Sequence, residues 1–335
     1  MKKEINNLLS ALQREIPLVS RPFLEIGKSV GMEEDEVIKA IESLKREKVI
    51  RQVSPIYDTR MLGYDSALVA FKVKPERIEE VASFVNTHPG VSHNYQRTHE
   101  FNLWFTIAVP LDYKRGLEDT IKLMVQNVEV SQYVILRSVR VFKIGVKLDY
   151  ESVDEREEVS RKEFLYKPLT EEEKLLVKIT QEDMPLVYKP FLEYAKSINV
   201  EESYLLEKLR EFKDRNILRR VSAILHHRKV GFTFNSMSVW RVDSQRVEEV
   251  GSYIAGFKGV SHCYERTGGN EWPYNLFAMI HGRSEEEVRA LAKRISEETG
   301  IQDYALLFSV KEFKKRRVKY FSEDFQNWYE CGGKG

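Results

Sequence analysis

The stretch IPLVSRPFLEIGKSVG, residues 16–31, decides the architecture, because it returns 168 residues later as MPLVYKPFLEYAKSIN, residues 184–199. At the same offset Ser54 aligns with Ser222, and residues on both sides of this pair are also identical in the two copies. A repeat unit of this length is too long for one turn of a solenoid. The sequence therefore predicts two copies of one domain pair on a single chain.

The first part of each copy has the spacing of apolar residues that is typical of short helices. Leu8 and Leu12 share one helical face, and Val37, Ile41 and Leu44 share another. The intervening segment PFLEIGKSVG stops at a glycine, which is a common end for a helix. Three short helices followed by the strand-like IRQVSPIY predict a winged helix-turn-helix.

The second part of each copy alternates strand-like and helix-like segments in the order βαββαβ. This is the order of the ferredoxin-like fold, an antiparallel sheet with helices on one face. The predicted fold class is α+β, with a duplicated unit of winged helix-turn-helix plus ferredoxin-like domain. The predicted boundaries are winged helix-turn-helix domains at residues 1–60 and 169–228, ferredoxin-like domains at 61–146 and 229–320, a charged linker at 147–168 and a tail at 321–335.

Composition narrows the classes of protein that remain. Lys+Arg number 53 against 52 for Asp+Glu, a formal net charge of +1, so no global field attracts nucleic acid or an anionic membrane. The two cysteines show neither disulfide-framework nor zinc-site spacing. The first residues do not read as a signal peptide, and no apolar run is long enough for a membrane span. We expect a cytoplasmic protein that does not engage a membrane.

The domain order is similar to that of the feast/famine (Lrp/AsnC-type) transcriptional regulators, and that resemblance implies DNA binding. The start of the recognition helix enters the major groove in such proteins, where basic residues contact phosphates. Here that position is acidic in both copies, which favours helix capping over DNA contact. We therefore expect no DNA partner. The residues concerned are Glu33, Glu34, Asp35 and Glu36, with Glu201 and Glu202 in the second copy.

A polar stripe lies on one predicted strand of each copy, because residues two apart on a strand face the same side. The stripes are His93, Tyr95, Arg97 and His99 in the first copy and His262, Tyr264 and Arg266 in the second. Arginine binds carboxylates through paired hydrogen bonds, and histidine transfers protons near neutral pH. The stripes suit a planar ligand with carboxylates, although a solvated or hydrogen-bonded sheet face remains the alternative interpretation.

The two copies differ where the chain enters the second ferredoxin-like domain. His226 and His227 in the second copy stand where the first has Asp58 and Thr59. The second copy is also four residues longer after its stripe, in TGGNEWPYNLF. These differences indicate that one half holds a site and that the other has become structural.

The strings RRVSAILHHRKVGF and GVSHCYERTGGNEWPYNLFAMIHG, with GVSHNYQRTHEFNLWFTI in the first half, resemble the two subunits of siroheme decarboxylases. The resemblance covers the chain except the linker and the tail. It departs from the usual pattern of two separate chains and is similar to the fused form. It implies loss of the carboxyl groups of two siroheme acetates, at C12 and C18, to give 12,18-didecarboxysiroheme on the route to haem or nitrite-reductase haem.

The resemblance implies a role for each of the stripe residues and for the residues that differ between the copies. The predicted proton donors are His262 and His227, with His93 and His99 as the equivalents in the first half. The predicted substrate ligands are Arg219, Arg220, His226, Arg228, Tyr264, Arg266, Trp272, Tyr274 and Asn275, with Tyr95 and Arg97 in the first half.

The reaction needs no cofactor in principle, and we expect no metal site of the protein's own. Iron arrives with siroheme, where His227 or His262 is the candidate contact. Siroheme is the expected partner, and neighbouring tetrapyrrole-pathway enzymes are further candidates. The alternative function is a tetrapyrrole-responsive regulator or a haem-binding module that uses the same pocket without chemistry.

Overall fold

The computed structural model describes residues 2–113, 115–144, 166–225, 234–269 and 271–333. These residues form two compact units, and each unit takes a part from both copies. The first contains the described residues of Met1–Tyr64, Phe164–Lys229 and Lys319–Ser322. The second contains those of Asp65–Glu163, Val230–Val318 and Glu323–Gly335. Most of the predicted linker lies outside the described residues.

The first unit contains the helical parts of both copies, which the sequence predicts as two separate domains. The elements are α1 (Lys2–Arg14), α2 (Pro22–Val30), α3 (Glu34–Arg46) and β1 (Ile50–Tyr57) in the first copy, and α6 (Glu171–Thr180), α7 (Pro190–Ser197), α8 (Glu202–Asp214) and β6 (Leu218–Leu225) in the second. The end of α2 is set by Gly31, whose positive φ of 73° turns the chain while its N–H bonds to the Gly27 carbonyl. Val37 and Ile41 are fully buried, which confirms the predicted apolar face of α3.

The strand that follows each helical part pairs with its counterpart from the other copy. Strands β1 and β6 are antiparallel, with Ser54 directly opposite Ser222. The ribbon is extended reciprocally, since the Ile16 N–H bonds to the Val221 carbonyl and the Met184 N–H to the Val53 carbonyl, both at 2.7 Å. Among the described residues each helical part thus contributes one strand to a shared ribbon, in place of a hairpin of its own.

The acidic start of α3 is engaged in contacts within this unit. The Glu36 carboxylate accepts the Glu33 N–H at 2.9 Å and completes a capping box. Glu34 is buried and pairs with the Arg21 guanidinium. The Tyr188 hydroxyl from the second copy donates to the Asp35 carboxylate at 2.5 Å. These carboxylates stabilise the helix start and its contact with the other copy.

The second unit is a closed barrel of eight strands. Its strands are β2 (Tyr64–Lys72), β3 (Val91–Arg97), β4 (Leu103–Pro110) and β5 (Gln132–Ile144) from the first copy, and β7 (Phe234–Trp240), β8 (Val260–Arg266), β9 (Leu276–Gly282) and β10 (Tyr304–Lys315) from the second. The order around the barrel is β10-β3-β4-β2-β5-β8-β9-β7. Each copy supplies the four-stranded sheet of a ferredoxin-like domain, and the β5–β8 and β10–β3 pairs join the copies. The predicted fold class and the predicted pairing of the two domains within one chain are confirmed.

Helices cover the outside of the barrel, and side chains from both copies fill the inside. The outer helices are α4 (Ile78–Thr87) and α5 (Leu117–Val128), which pack on the first sheet, and α9 (Val247–Ala255) and α10 (Glu285–Thr299), which pack on the second. Alternation along β2 shows the division, since Val69 and Phe71 face the helices while Leu68 and Ala70 face the interior. Trp104 and Trp272 meet in the interior with ring centroids 4.9 Å apart.

The tail contains a helix that the sequence pattern does not predict, α11 (Asp324–Glu330). Its Trp328 is buried against the first sheet's helical layer, and the indole N–H donates to the Thr87 hydroxyl at 2.9 Å. The Trp328 ring meets the buried His88 ring edge-on at 4.5 Å. The tail therefore completes the core of the first copy with residues from the end of the second.

None of the helices that the structure describes is both long and apolar enough to cross a membrane.

We expect this protein to show no sequence-specific binding to duplex DNA, because the carboxylates at the start of α3 repel phosphates and are committed to internal contacts. Fluorescence anisotropy with labelled duplexes over a range of salt concentrations measures this. Tight, salt-dependent binding that weakens in a Lys39→Ala variant of the exposed α3 surface would contradict the prediction.

His88 predicts a pH-dependent stability. Burial, aided by the charge of Lys314, lowers the pKa of His88 from 6.5 to about 3. Between those values the unfolded chain binds a proton at this ring that the folded chain rejects, so the free energy of unfolding falls as pH drops. From pH 7 to pH 4.5 the wild type is expected to lose about 2–3 kcal/mol relative to His88→Asn, measured by urea unfolding. If the free energy of unfolding changes with pH by the same amount in both proteins, His88 has an ordinary pKa and the prediction is wrong.

Candidate functional site

The polar stripe of the second copy lies on β8 in the predicted alternation. The His262 and Tyr264 rings stack with centroids 6.1 Å apart and planes 18° from parallel. The Arg266 guanidinium carbon lies 4.7 Å from the centre of the Tyr264 ring. Cys263 points the opposite way, where its buried thiol donates to the Gly251 carbonyl of α9. The stripe is thus a histidine, an aromatic ring and a cation in sequence on the helix-free face of the sheet.

The first copy repeats this arrangement on β3. The His93 and Tyr95 rings stack at 6.4 Å, and the Arg97 guanidinium lies 5.3 Å from the Tyr95 ring. His99, however, does not continue the stripe, because β3 ends at Arg97 and strand alternation ends with it. The prediction that four residues share one strand face is therefore wrong for His99.

His99 instead lies in the bend between β3 and β4. Its ring packs 5.2 Å from Trp272 of the second copy, and its Nδ1 accepts the Phe101 N–H at 3.0 Å. Partial burial, with the nearby Lys72, lowers the pKa of His99 against the opposing charge of Glu100. Because Nδ1 accepts this hydrogen bond, the proton of a neutral His99 ring lies on Nε2.

The two stripe arginines reach across the copies in the same way. Arg97 donates to the Leu307 carbonyl of β10 at 3.0 Å, and Arg266 donates to the Leu136 carbonyl of β5 at 3.2 Å. Within the described part of the chain neither guanidinium has a carboxylate partner, and neither buried Nε has an acceptor. Desolvation lowers the pKa of both groups, that of Arg97 to about 10. A buried cation without an anion is costly, so both sites favour a carboxylate supplied by a ligand.

A serine precedes each stripe histidine, and the hydrogen bonds behind it differ between the copies. Ser261 Oγ lies 2.8 Å from His262 Nδ1 and 2.7 Å from Nε2 of His281 on β9. In the first copy Ser92 Oγ lies 3.0 Å from His93 Nδ1, but its second partner is the Thr106 hydroxyl at 2.7 Å.

Sequence reasoning missed Ser261 and His281. Two signals could have identified them. Each stripe begins with the same Ser-His pair, and His281 has the strand parity of Phe277 and Met279, which line the barrel interior.

The longer segment that follows the stripe of the second copy places Trp272 in the barrel interior. Trp272 is buried among Phe101, Trp104 and Phe277, and none of the described residues accepts its indole N–H. Tyr274 packs on Trp272 with ring centroids 5.3 Å apart. The substrate contacts predicted for both residues remain predictions.

Asn275, also predicted to contact substrate, has a structural partner. Its side-chain amide makes two hydrogen bonds with the backbone of Val242, at 2.9 and 2.8 Å. Asn102 does the same with Val73 in the first copy, at 3.0 and 2.8 Å. This matched pair ties strands together, and a substrate contact for Asn275 is an additional role that stays a prediction.

Arg219 and Arg220 lie on β6 in the first unit. Arg219 donates to the buried carboxylate of Asp58 at 2.7 Å. Burial opposes ionisation of Asp58, but the charges and hydrogen bonds of Arg219 and Arg60 outweigh it and lower the pKa. Arg219 is thus already paired, and both arginines are exposed.

The predicted residues His226, His227 and Arg228 lie outside the described residues. Within the described ranges, no group of three or more His, Cys, Asp or Glu side chains is arranged to hold a metal ion.

Together, the described stripe residues supply three kinds of interaction. The ring of Tyr264 offers a flat surface, Arg266 offers a desolvated cation, and His262 offers a group that exchanges protons. The combination suits a flat anionic ligand on which a proton is moved.

Two family models match this chain in both copies. The model of an AsnC-like ligand binding domain matches residues 61–143 and 229–314. The model of a siroheme decarboxylase NirDL-like HTH domain matches residues 6–51 and 173–219.

Characterised relatives match along the whole length. A siroheme decarboxylase of Hydrogenobacter thermophilus is 56% identical over 330 residues, which cover 98% of each chain. Two crystal structures of the siroheme decarboxylase NirDL are 50% identical and match 98% of each chain, with TM-scores of 0.80 and 0.79. The second of these is a co-complex with an iron-uroporphyrin III analogue.

Proposed function

This chain belongs to the siroheme decarboxylase family, and from that premise we propose that it converts siroheme to 12,18-didecarboxysiroheme. Two acetate side chains lose their carboxyl groups as CO₂ and become methyl groups. The protein is then a carboxy-lyase of haem or nitrite-reductase haem biosynthesis. Identity of 56% across the full chain is the observation that carries this proposal.

The ligand class agrees with the chemistry of the stripe. Siroheme is a flat iron tetrapyrrole that bears several carboxylates, and the related co-complex supports an iron tetrapyrrole as the molecule bound. Arg266 lacks a carboxylate partner among the described residues while its Nε is buried. We assign to Arg266 a carboxylate of the substrate, and to Tyr264 a contact with the ring.

The reaction requires a proton for every carboxylate that leaves. As CO₂ departs, the electron pair of the broken C–C bond passes into the tetrapyrrole, and the remaining carbon takes up one proton to become a methyl group. We assign this proton to His262, because it is the ionisable ring of the stripe and neighbours Tyr264. His227 remains a second candidate donor.

The remaining assignments complete this proposal. In the first copy His93 and His99 are the equivalent candidate donors, and Tyr95 and Arg97 are the equivalent ligands. Tyr95 and Arg97 also join the copies, through Glu312 and the Leu307 carbonyl. The protein needs no cofactor of its own, since iron enters with the substrate. A cytoplasmic location and contact with neighbouring pathway enzymes are parts of the same proposal.

Anaerobic incubation with siroheme tests the function. We expect mass spectrometry of the extracted tetrapyrrole to show the loss of two CO₂. Siroheme that binds, as followed by its absorbance, but returns unchanged would favour the alternative of a tetrapyrrole-responsive regulator or binding module.

His262→Ala tests the proton donor. Arginine contacts and ring stacking supply most of the affinity, so the variant is expected to bind siroheme normally. Decarboxylation is expected to fall by about 10²–10⁴-fold, the usual share of general acid–base catalysis. His93→Ala is the matched control in the first copy. A loss of decarboxylation activity in His93→Ala alone would assign the chemistry to the first copy. Full activity of His262→Ala would exclude His262 as the donor.

A further inference from the structure

The hydroxyl of Ser261 joins two histidine rings of the second copy. His262 Nδ1 lies 2.8 Å and His281 Nε2 lies 2.7 Å from the same Oγ atom. Ser261 is 4% exposed, so bulk water does not compete freely for this bridge. Both distances are those of good hydrogen bonds.

The bridge constrains where the protons lie. A hydroxyl carries one hydrogen, so when both rings bond to it, it donates to one ring and accepts from the other. If Ser261 donates to His262 Nδ1, the proton of a neutral His262 ring must lie on Nε2. His281 then donates its Nε2 proton to Ser261. With the hydrogen bonds in this direction, the Nε2–H of His262 is left as the group that can act as an acid.

We propose that His281, acting through Ser261, holds His262 in this tautomer and supplies a proton to its Nδ1 as Nε2 gives one up at each loss of CO₂. The inference deepens the proposed function and rests on it, because it takes His262 as the proton donor. His281 is a positioning and relay residue in this scheme and does not touch the substrate.

The proton transfers balance. His262 Nε2 gives its proton to the carbon that has lost CO₂, and His262 Nδ1 takes the Ser261 hydroxyl proton. Ser261 Oγ takes the Nε2 proton of a cationic His281, which becomes neutral, so His262 now carries its proton on Nδ1. After the product leaves, a proton taken up from solvent at His262 Nε2 sends the Nδ1 proton back through Ser261 to His281 and restores the starting tautomer. One turnover thus gives one proton to the product and takes one from solvent, as one decarboxylation requires.

The first copy cannot perform this relay. Its equivalent hydroxyl, Ser92, bonds to Thr106, which does not ionise, and Ala108 occupies the position that matches His281. Both copies retain the serine and the stripe histidine, so the difference lies in the group behind them. This difference assigns the protonated site to the second copy.

The test measures turnover, KM for siroheme and the ring nitrogen shifts of ¹⁵N-labelled His262 in the full-length protein. His281→Asn and Ser261→Ala are expected to lower kcat on the order of 10–100-fold, as loss of a supporting partner does at other sites, with KM unchanged. Ser261→Thr keeps the hydroxyl and is expected to restore most of the turnover. Ser92→Ala removes the matching hydroxyl of the first copy and is expected to keep wild-type turnover. The nitrogen spectrum of the wild type is expected to show the proton of neutral His262 on Nε2.

Three results would overturn the relay. The first is a wild-type His262 with its proton on Nδ1, which can be seen even if a variant fails to fold. The second is normal kcat in His281→Asn, and the third is an equal loss in Ser92→Ala and Ser261→Ala. These results differ from failure of the proposed function itself, in which wild type releases no CO₂ from siroheme or His262→Ala keeps full activity.

Discussion

The second unit depends on strand pairing between the copies, which joins the edges of one four-stranded sheet to the edges of the other. A ferredoxin-like sheet of four strands has two edges with unpaired backbone groups and one apolar face without helices. Here β5 pairs with β8 and β10 pairs with β3, so both edges of each sheet are used, and the two apolar faces meet inside the barrel. Neither sheet can satisfy its edges or bury that face without the other. The barrel therefore requires two such sheets, and linking both copies on one chain removes the concentration dependence that a dimer of separate chains would have.

This constraint explains which features of the stripes are shared. Arg97 and Arg266 each donate to a carbonyl of the other copy's last strand, so each helps to hold the copies together, whatever it binds besides. Asn102 and Asn275 likewise make matching bonds in both halves. A residue that helps to close the barrel is needed in both copies, so its presence in both is no sign of a role in catalysis. Residues that differ between the copies are the more informative ones, because closure does not require them.

The sequence predicts the fold well because the signals for it are local. Apolar spacing gives the helices, alternation gives the strands, and the repeat gives the duplication. It predicts the site less completely, because the deciding contacts join residues that are distant along the chain. Nothing near Arg219 indicates that Asp58 neutralises it, and the Ser-His pair and strand parity suggest Ser261 and His281 one by one without showing that they share a hydrogen bond. His99 was misplaced for a related reason, since alternation does not reveal that β3 ends two residues earlier.

Contacts between distant residues also decide the role of the acidic start of α3, to which an argument from the fold alone would assign DNA binding. In the structure these carboxylates cap the helix, pair with Arg21 and accept a bond from Tyr188 of the other copy. The helical parts thus use an acidic helix start for contact with each other. Their strands do the same, because β1 and β6 form one ribbon in place of two wings. Both units of this protein therefore convert surfaces that a regulator would present to DNA or to a second chain into contacts within one chain. The copies are then distinguished by a small set of groups that closure of the barrel does not require, such as His281, which stands where the first copy has Ala108.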